Sequence, residues 1–140
     1  MEIKYKVDMH AYAPERAHPD DAGYDLRSPV TTGIGPGESI TIDIGVHIEI
    51  PRGYYGKIEG RSGIAIRNDV EAFGGVIDCG YTGSIAVKLR NYGSETFRIS
   101  PGDKIAQLII LPYLRDAELV EVAELDDTPR GNGGFGSTGR

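Results

Sequence analysis

The sequence predicts an all-β fold, and three observations carry that prediction. Apolar residues recur with a period of two from Ser39 to Ile50, where Ile40, Ile42, Ile44, Val46, Ile48 and Ile50 alternate with mostly polar neighbours. Turn chemistry punctuates the chain at Gly35-Pro36-Gly37, Pro51-Arg52-Gly53, Asn91-Tyr92-Gly93-Ser94 and Pro101-Gly102-Asp103. Helical periodicity is nearly absent. Many short strands at this spacing make a sandwich, a jelly roll or a barrel.

Composition bounds the function. The 140 residues suit one domain with a modest core, and 15 Lys+Arg against 21 Asp+Glu give a net charge of −6. So acidic a chain offers no general basic face to duplex nucleic acid, and any anion must be bound locally. Cys79 is the only cysteine, which excludes an intrachain disulfide and points to a reducing compartment. No apolar run nears the roughly 18 residues of a membrane span, and the charged N-terminus lacks a signal-peptide core. The expectation is a soluble intracellular protein with no membrane partner. No internal repeat is found and no low-complexity linker precedes residue 126, so residues 1–125 read as a β domain and 126–140 as a flexible arm.

The elements follow in chain order. Ile3, Tyr5, Val7 and Met9 alternate as a strand with one buried face. Residues 10–20 read as a connection. In Asp21-Ala22-Gly23-Tyr24-Asp25-Leu26-Arg27-Ser28 an acid lies among small and aromatic residues, and its plainest reading is a turn into a strand with Asp25 paired to an arginine. Ser39–Ile50 reads as one strand buried on one face. Gly60-Arg61-Ser62-Gly63-Ile64-Ala65 reads as a loop that sets a guanidinium fork, a hydroxyl and an unobstructed backbone N–H side by side, as phosphate oxygens require. A capping serine beside a solvated arginine is the equal alternative.

Gly74-Gly75-Val76-Ile77-Asp78-Cys79-Gly80-Tyr81-Thr82-Gly83 has the composition of a β-hairpin whose bare backbone can approach a ligand edge. A fixed N–H and C=O pair there would tell uracil from cytosine, and Asp78 could hold a water for attack as general base. Alternatively Asp78 bonds its own turn, Tyr81 covers the sheet, and Cys79 is a bystander. Ile85, Val87 and Leu89 alternate again, and Ile105–Leu111 reads as a more fully buried strand. Gln107 inside it must find partners, since an unsatisfied buried amide costs about 1–3 kcal/mol. It bonds a neighbouring backbone, reaches a ligand, or sits on a wet edge. Residues 112–129 read as connections and surface strands.

From Arg130 to Arg140 the chain holds five glycines, two arginines, and Phe135 as its one large apolar side chain. Such a tail cannot pack a core, because glycine is the costliest residue to order and one ring buries too little. Its content suits an arm that orders on a phosphate-bearing ligand.

Taken together and in order, Ala22-Gly23-Tyr24-Asp25-Leu26, Arg61-Ser62-Gly63, Gly75-Val76-Ile77-Asp78 with Tyr81 and Gly83, Gly102-Asp103-Lys104-Ile105-Ala106-Gln107-Leu108, and Arg130 to Gly139 resemble the five motifs of the homotrimeric dUTPase family. The resemblance implies a jelly-roll protomer, a homotrimer with exchange of the C-terminal arm, and hydrolysis of dUTP to dUMP and diphosphate with Mg²⁺. It implies that Asp78 activates the water attacking the α-phosphorus and that Tyr81 lies against the deoxyribose. Backbone at Gly75, Val76, Ile77, Asp78 and Ala86 would read the uracil edge. Arg61, Ser62, Gly63 and Gln107 would hold phosphates, Arg130 the terminal phosphate, Phe135 the uracil face, and Gly136, Ser137 and Thr138 further phosphate oxygens. Asp25 would meet the metal only through water. The activity would limit uracil in DNA and supply dUMP for thymidylate synthesis, in the cytoplasm or, for a viral protein, the host-cell interior.

Two departures stand in the third motif, where many members carry an acid at the position of Gly80 and a basic or amide residue at that of Thr82. A dCTP deaminase shares these phosphate motifs but has a glutamate where this chain has Lys88. A dUTPase-like regulator acting through protein binding is the second alternative, and the presence of Asp78, Tyr81, Arg130 and Phe135 argues against degeneracy.

Overall fold

In the computed structural model, which describes residues 1–139, the chain forms β1 (Tyr5–Val7), β2 (Gly23–Arg27), β3 (Thr32–Ile34), β4 (Ser39–Asp43), β5 (Val46–Ile48), β6 (Tyr54–Glu59), α1 (Ser62–Asn68), β7 (Val70–Phe73), β8 (Val76–Ile77), β9 (Ala86–Asn91), β10 (Phe97–Ile99) and β11 (Lys104–Pro112). Arg140, the last residue of the glycine-rich arm, lies outside the described residues. All pairings are antiparallel: sheets ordered β2-β11-β6-β8 and β4-β9-β7, with pairs β1-β5 and β10-β3. This is the expected jelly-roll β architecture. Among the described residues no helix is long and apolar enough to cross a membrane.

Alternation placed the core from Ile42 onward, with Ile40 half-buried at its start. Ile42, Ile44, Val46, Ile48 and Ile50 are buried, as are Ile85, Val87 and Leu89, and they meet Leu26, Ile58, Ala106 and Leu108 in one cluster. The Ser39–Ile50 run is nonetheless two strands, because Gly45 turns the chain at a φ of 66° and β4 and β5 join different sheets. A Cβ there would also fall 2.8 Å from that of Ala11. The N-terminal alternation has no fully buried face in the protomer: Ile3 packs against the core, but Tyr5 is 52%, Val7 39% and Met9 86% exposed.

Two further expectations are corrected. The segment expected as a loop over residues 60–65 is helical from Ser62, for α1 follows Arg61 with only Ile64 packed on the core, too short a contact to show helical periodicity. After Pro112 the described residues contain no strand, and the stretch expected to carry surface strands is exposed connection.

Candidate active site

The first half of the site is a polar face on β2 and β11. Asp25 lies opposite Gln107 in the ladder, and the register slips between Lys104 and Ala106. That bulge lets Ile105 and Ala106 both point inward while Lys104 and Gln107, three residues apart, share a face. Asp25 is buried and holds two cations: Oδ1 lies 3.0 Å from Arg61 Nε and Oδ2 lies 2.8 Å from Lys104 Nζ. The arginine pairing read from the sequence is therefore present. Gln107 Nε2 donates to the Gly60 carbonyl at 2.8 Å, on an interior strand rather than a wet edge. Gly23 makes room for it, since a Cβ would fall 2.9 Å from Gln107 Cδ.

Arg61 is the N-cap residue of α1 yet makes no side-chain cap, because its guanidinium turns to Asp25. Ser62 and Gly63 follow as the first helical residues, both exposed, so the capping-serine alternative fails. In the sequence Lys104 stands out only as part of a motif. Its role as the second partner of Asp25 follows from the bulge, which no sequence pattern announces.

The second half is a cleft of about 280 Å³ lined by Gly74, Val76, Ile77, Asp78, Tyr81, Ser84, Ile85 and Ala86. It gathers most of the residues expected to meet uracil and deoxyribose. The expected hairpin is a wide one: β7 pairs β9, and the connection 74–85 swings out so that β8 can pair β6. Gly74 permits this crossing, since a Cβ would lie 2.9 Å from Ile58 Cγ1 and 3.0 Å from the Ala86 carbonyl. Gly75 has a φ of 72° and accepts a bond from the Ile58 N–H at 3.1 Å.

Asp78 is exposed at the turn, its carbonyl accepting from the Tyr81 N–H at 3.2 Å. The Tyr81 hydroxyl donates to the Ser84 carbonyl at 2.9 Å, folding the ring over Gly83, where a Cβ would fall 2.6 Å from Tyr81 Cζ. Gly80 has a φ of 86°, a conformation that glycine adopts without strain. Cys79 Sγ lies 3.8 Å from the Tyr113 hydroxyl, whose pKa is raised by that contact.

Supporting residues that the sequence did not single out hold this connection. Ser84 Oγ donates to Asp43 Oδ1, which also accepts from the Gly45 N–H at 2.9 Å; the serine bond first, then the glycine bond, lowers the Asp43 pKa. The Thr82 carbonyl meets His47 Nδ1 at 2.8 Å, a backbone contact indifferent to the side chain at position 82.

The arm stands apart. Its hydrogen bonds are local: Arg130 Nε donates to the Gly133 carbonyl at 2.7 Å, and the Ser137 N–H to that of Gly134 at 3.0 Å. Phe135, Gly136, Ser137 and Thr138 are exposed. Among the described residues no side-chain hydrogen bond or ion pair joins the arm, the cleft and the Asp25 face to one another. One protomer thus presents three separate parts.

For a divalent cation the donors fit only indirect binding. No cluster of three His, Cys, Asp or Glu side chains occurs among the described residues. Asp25 has both oxygens engaged by cations, yet a carboxylate has about four lone-pair sites and keeps room for a metal-bound water.

Known proteins match this architecture. A family model described as dUTPase matches residues 9–139. The Mus musculus deoxyuridine 5'-triphosphate nucleotidohydrolase is 43% identical over 135 residues, covering 96% of this chain and 83% of that one. The Staphylococcus bacteriophage 80alpha dUTPase with dUPNHPP superposes with a TM-score of 0.93 at 31% identity, covering 99% of each chain. A mutant dUTPase from phage phi11 of S. aureus, whose structure reveals the coordination of a structural Mg(II) ion, gives 0.84 at 29%, covering 91% of this chain and 100% of that one.

Proposed function

The chain belongs to the dUTPase family, hydrolysing dUTP to dUMP and diphosphate, and from that premise we propose how its residues divide the work. The observation that carries this reading is the cleft uniting Val76, Ile77, Asp78, Tyr81 and Ala86. Asp78, exposed at its rim, takes the proton of a water as the water oxygen bonds the α-phosphorus. The bond from that phosphorus to the bridging oxygen breaks, and diphosphate leaves with the electron pair. Backbone at Gly75, Val76, Ile77, Asp78 and Ala86 reads the uracil edge, and the Tyr81 ring lies against the deoxyribose where a 2′-hydroxyl would clash.

Arg61, Ser62, Gly63 and Gln107 receive the phosphates, with Asp25 fixing Arg61 in place. Positioning and charge neutralisation carry most of phosphoryl chemistry, and an acidic chain needs both. Mg²⁺ would enter on the triphosphate, meeting Asp25 through water and offsetting phosphate charge. Residues 126–140 form the closing arm: Arg130 takes the terminal phosphate, Phe135 covers the uracil, and Gly136, Ser137 and Thr138 take further oxygens. Its turns and exposure support an element that waits for ligand.

The separation of the three parts supports a homotrimer in which subunits complete one another's sites, with residues 1–125 as the β domain. Leu114, Leu119, Val120, Val122 and Leu125, all exposed in the protomer, are surface that such an assembly would cover. The acidic balance and single cysteine support a cytoplasmic or host-cell location, with no membrane or nucleic-acid partner. Lys88, exposed on β9, gives a deaminase no acid.

Release of diphosphate from dUTP, dTTP, UTP and dCTP with Mg²⁺ tests the reading. Turnover of dUTP alone is expected, and equal rates with dCTP would overturn the backbone readout.

A further inference from the structure

The connection 74–85 carries Asp78 and Tyr81 but is exposed over much of its length, so something must fix it. The β4–β5 junction does so from below. Ser84 is held by Asp43, and the Ile85 N–H bonds the Val46 carbonyl at 2.9 Å. The third tie is His47. Its Nδ1 lies 2.8 Å from the Thr82 carbonyl, and its Nε2 lies 3.1 and 3.2 Å from the two Asp8 oxygens. Asp8 is itself fixed, its N–H donating to the Gly45 carbonyl at 2.8 Å.

A carbonyl and a carboxylate only accept hydrogen bonds, while a neutral imidazole donates from one nitrogen alone. Only the imidazolium satisfies both contacts. We propose that His47, as an imidazolium clamped between Asp8 and the Thr82 carbonyl, is a positioning residue that holds the Tyr81 ring and the Asp78 turn in their substrate-binding geometry. The inference rests on the assignment of Tyr81 to the deoxyribose. Thr82 lies between Tyr81 and the Gly83 over which the ring folds, so releasing its carbonyl frees the ring.

The charged groups around the imidazole agree. The Thr82 carbonyl bond, then the Asp8 bond, raises the His47 pKa above its ordinary 6.5. Lys6, its ladder partner on β1, opposes them by charge, and Lys4, Tyr5 and Glu49 line a separate pocket beside His47 and Thr82. Asp43 senses the His47 charge from the other side. Because the folded value is raised, the clamp's contribution is fully present below about pH 6.5. It is lost as pH rises through the folded value.

The imidazole protons of the wild-type enzyme should titrate above 6.5 in an NMR series, and in Asp8→Asn the value should fall. Asparagine places its amide where Nδ1 stands, and glutamine reaches the Nε2 position. His47→Asn should therefore keep most of the catalytic efficiency toward dUTP. His47→Gln and His47→Leu should lose about tenfold, since misplacement of a binding group by about 1 Å is enough to cost that much. In those two variants discrimination of dUTP against UTP should fall, and the decline of kcat/KM expected of the wild type as pH rises through the raised His47 value should be absent.

A wild-type titration at or below 6.5 overturns the clamp. So does a His47→Leu enzyme with an unchanged pH profile and unchanged UTP rejection. Failure of the wild type to hydrolyse dUTP would instead sink the cleft assignment, and the NMR titration would still decide the state of His47.

Discussion

The Asp25 face and the C-terminal arm, both proposed to receive phosphate, are built by opposite structural means. Asp25, Lys104 and Gln107 sit on paired strands whose inward neighbours Leu26, Ala106 and Leu108 are 0 to 1% exposed. Folding the core places them. The arm has no such support: its polar bonds close short turns, and Phe135 sits fully exposed with a left-handed φ of 49°. Ordering so many glycines costs more than one ring repays, so the proposed role needs a ligand to supply the compensating contacts. On the proposed assignments, a residue on the strand face should couple stability to activity, whereas one in the arm or on the exposed Asp78 turn should affect activity alone.

Asp78→Asn gives the sharpest break. The variant keeps the size of the side chain but removes the base, and general-base removal costs about 10²–10⁴-fold. Turnover of dUTP should drop by about 10³-fold while the melting temperature stays put. An active Asp78→Asn enzyme would end the base assignment. Deleting residues 130–140 comes next, with about 10²-fold lost in kcat/KM as the terminal-phosphate and uracil contacts go together. Thermal unfolding should not change, because no described arm residue reaches the core cluster. A truncated enzyme with full turnover would remove the arm from the mechanism.

What the sequence revealed divides along the same line. Period-two alternation located buried residues even where it misjudged strands: Ile42, Ile44, Val46, Ile48 and Ile50 are all inside although Gly45 splits the run. Alternation reports which side chain faces the core, not which sheet the backbone joins. The gathering of Asp78 and Tyr81 at one cleft was legible because glycine and charge are informative where nothing is packed. The ties beneath the cleft were not, since Asp43, His47 and Asp8 meet only after β1, β4 and β5 are assembled. Asn91 shows the same limit. It reads as a turn residue, yet it is fully buried at the end of β9 and bonds the Ile34 and Glu95 carbonyls and the Gly93 N–H.

Asp25→Asn is the smallest effect and the one that tests the coupling itself. The substitution preserves volume but removes the charge shared by Arg61 and Lys104, whose side chains are each 30% exposed against 11% for Asp25. Fully buried pairs broken this way cost about 3–5 kcal/mol, and partial solvation of both cations reduces the figure to about 1–2 kcal/mol. Chemical denaturation should show that loss with an unchanged slope, since the same surface is exposed on unfolding. The KM for dUTP should rise in the same variant, because Arg61 no longer has the carboxylate that turned it from the helix end. A loss of stability with KM intact would make Asp25 a structural pair only. A raised KM with stability intact would put it with the arm, among residues the core does not need.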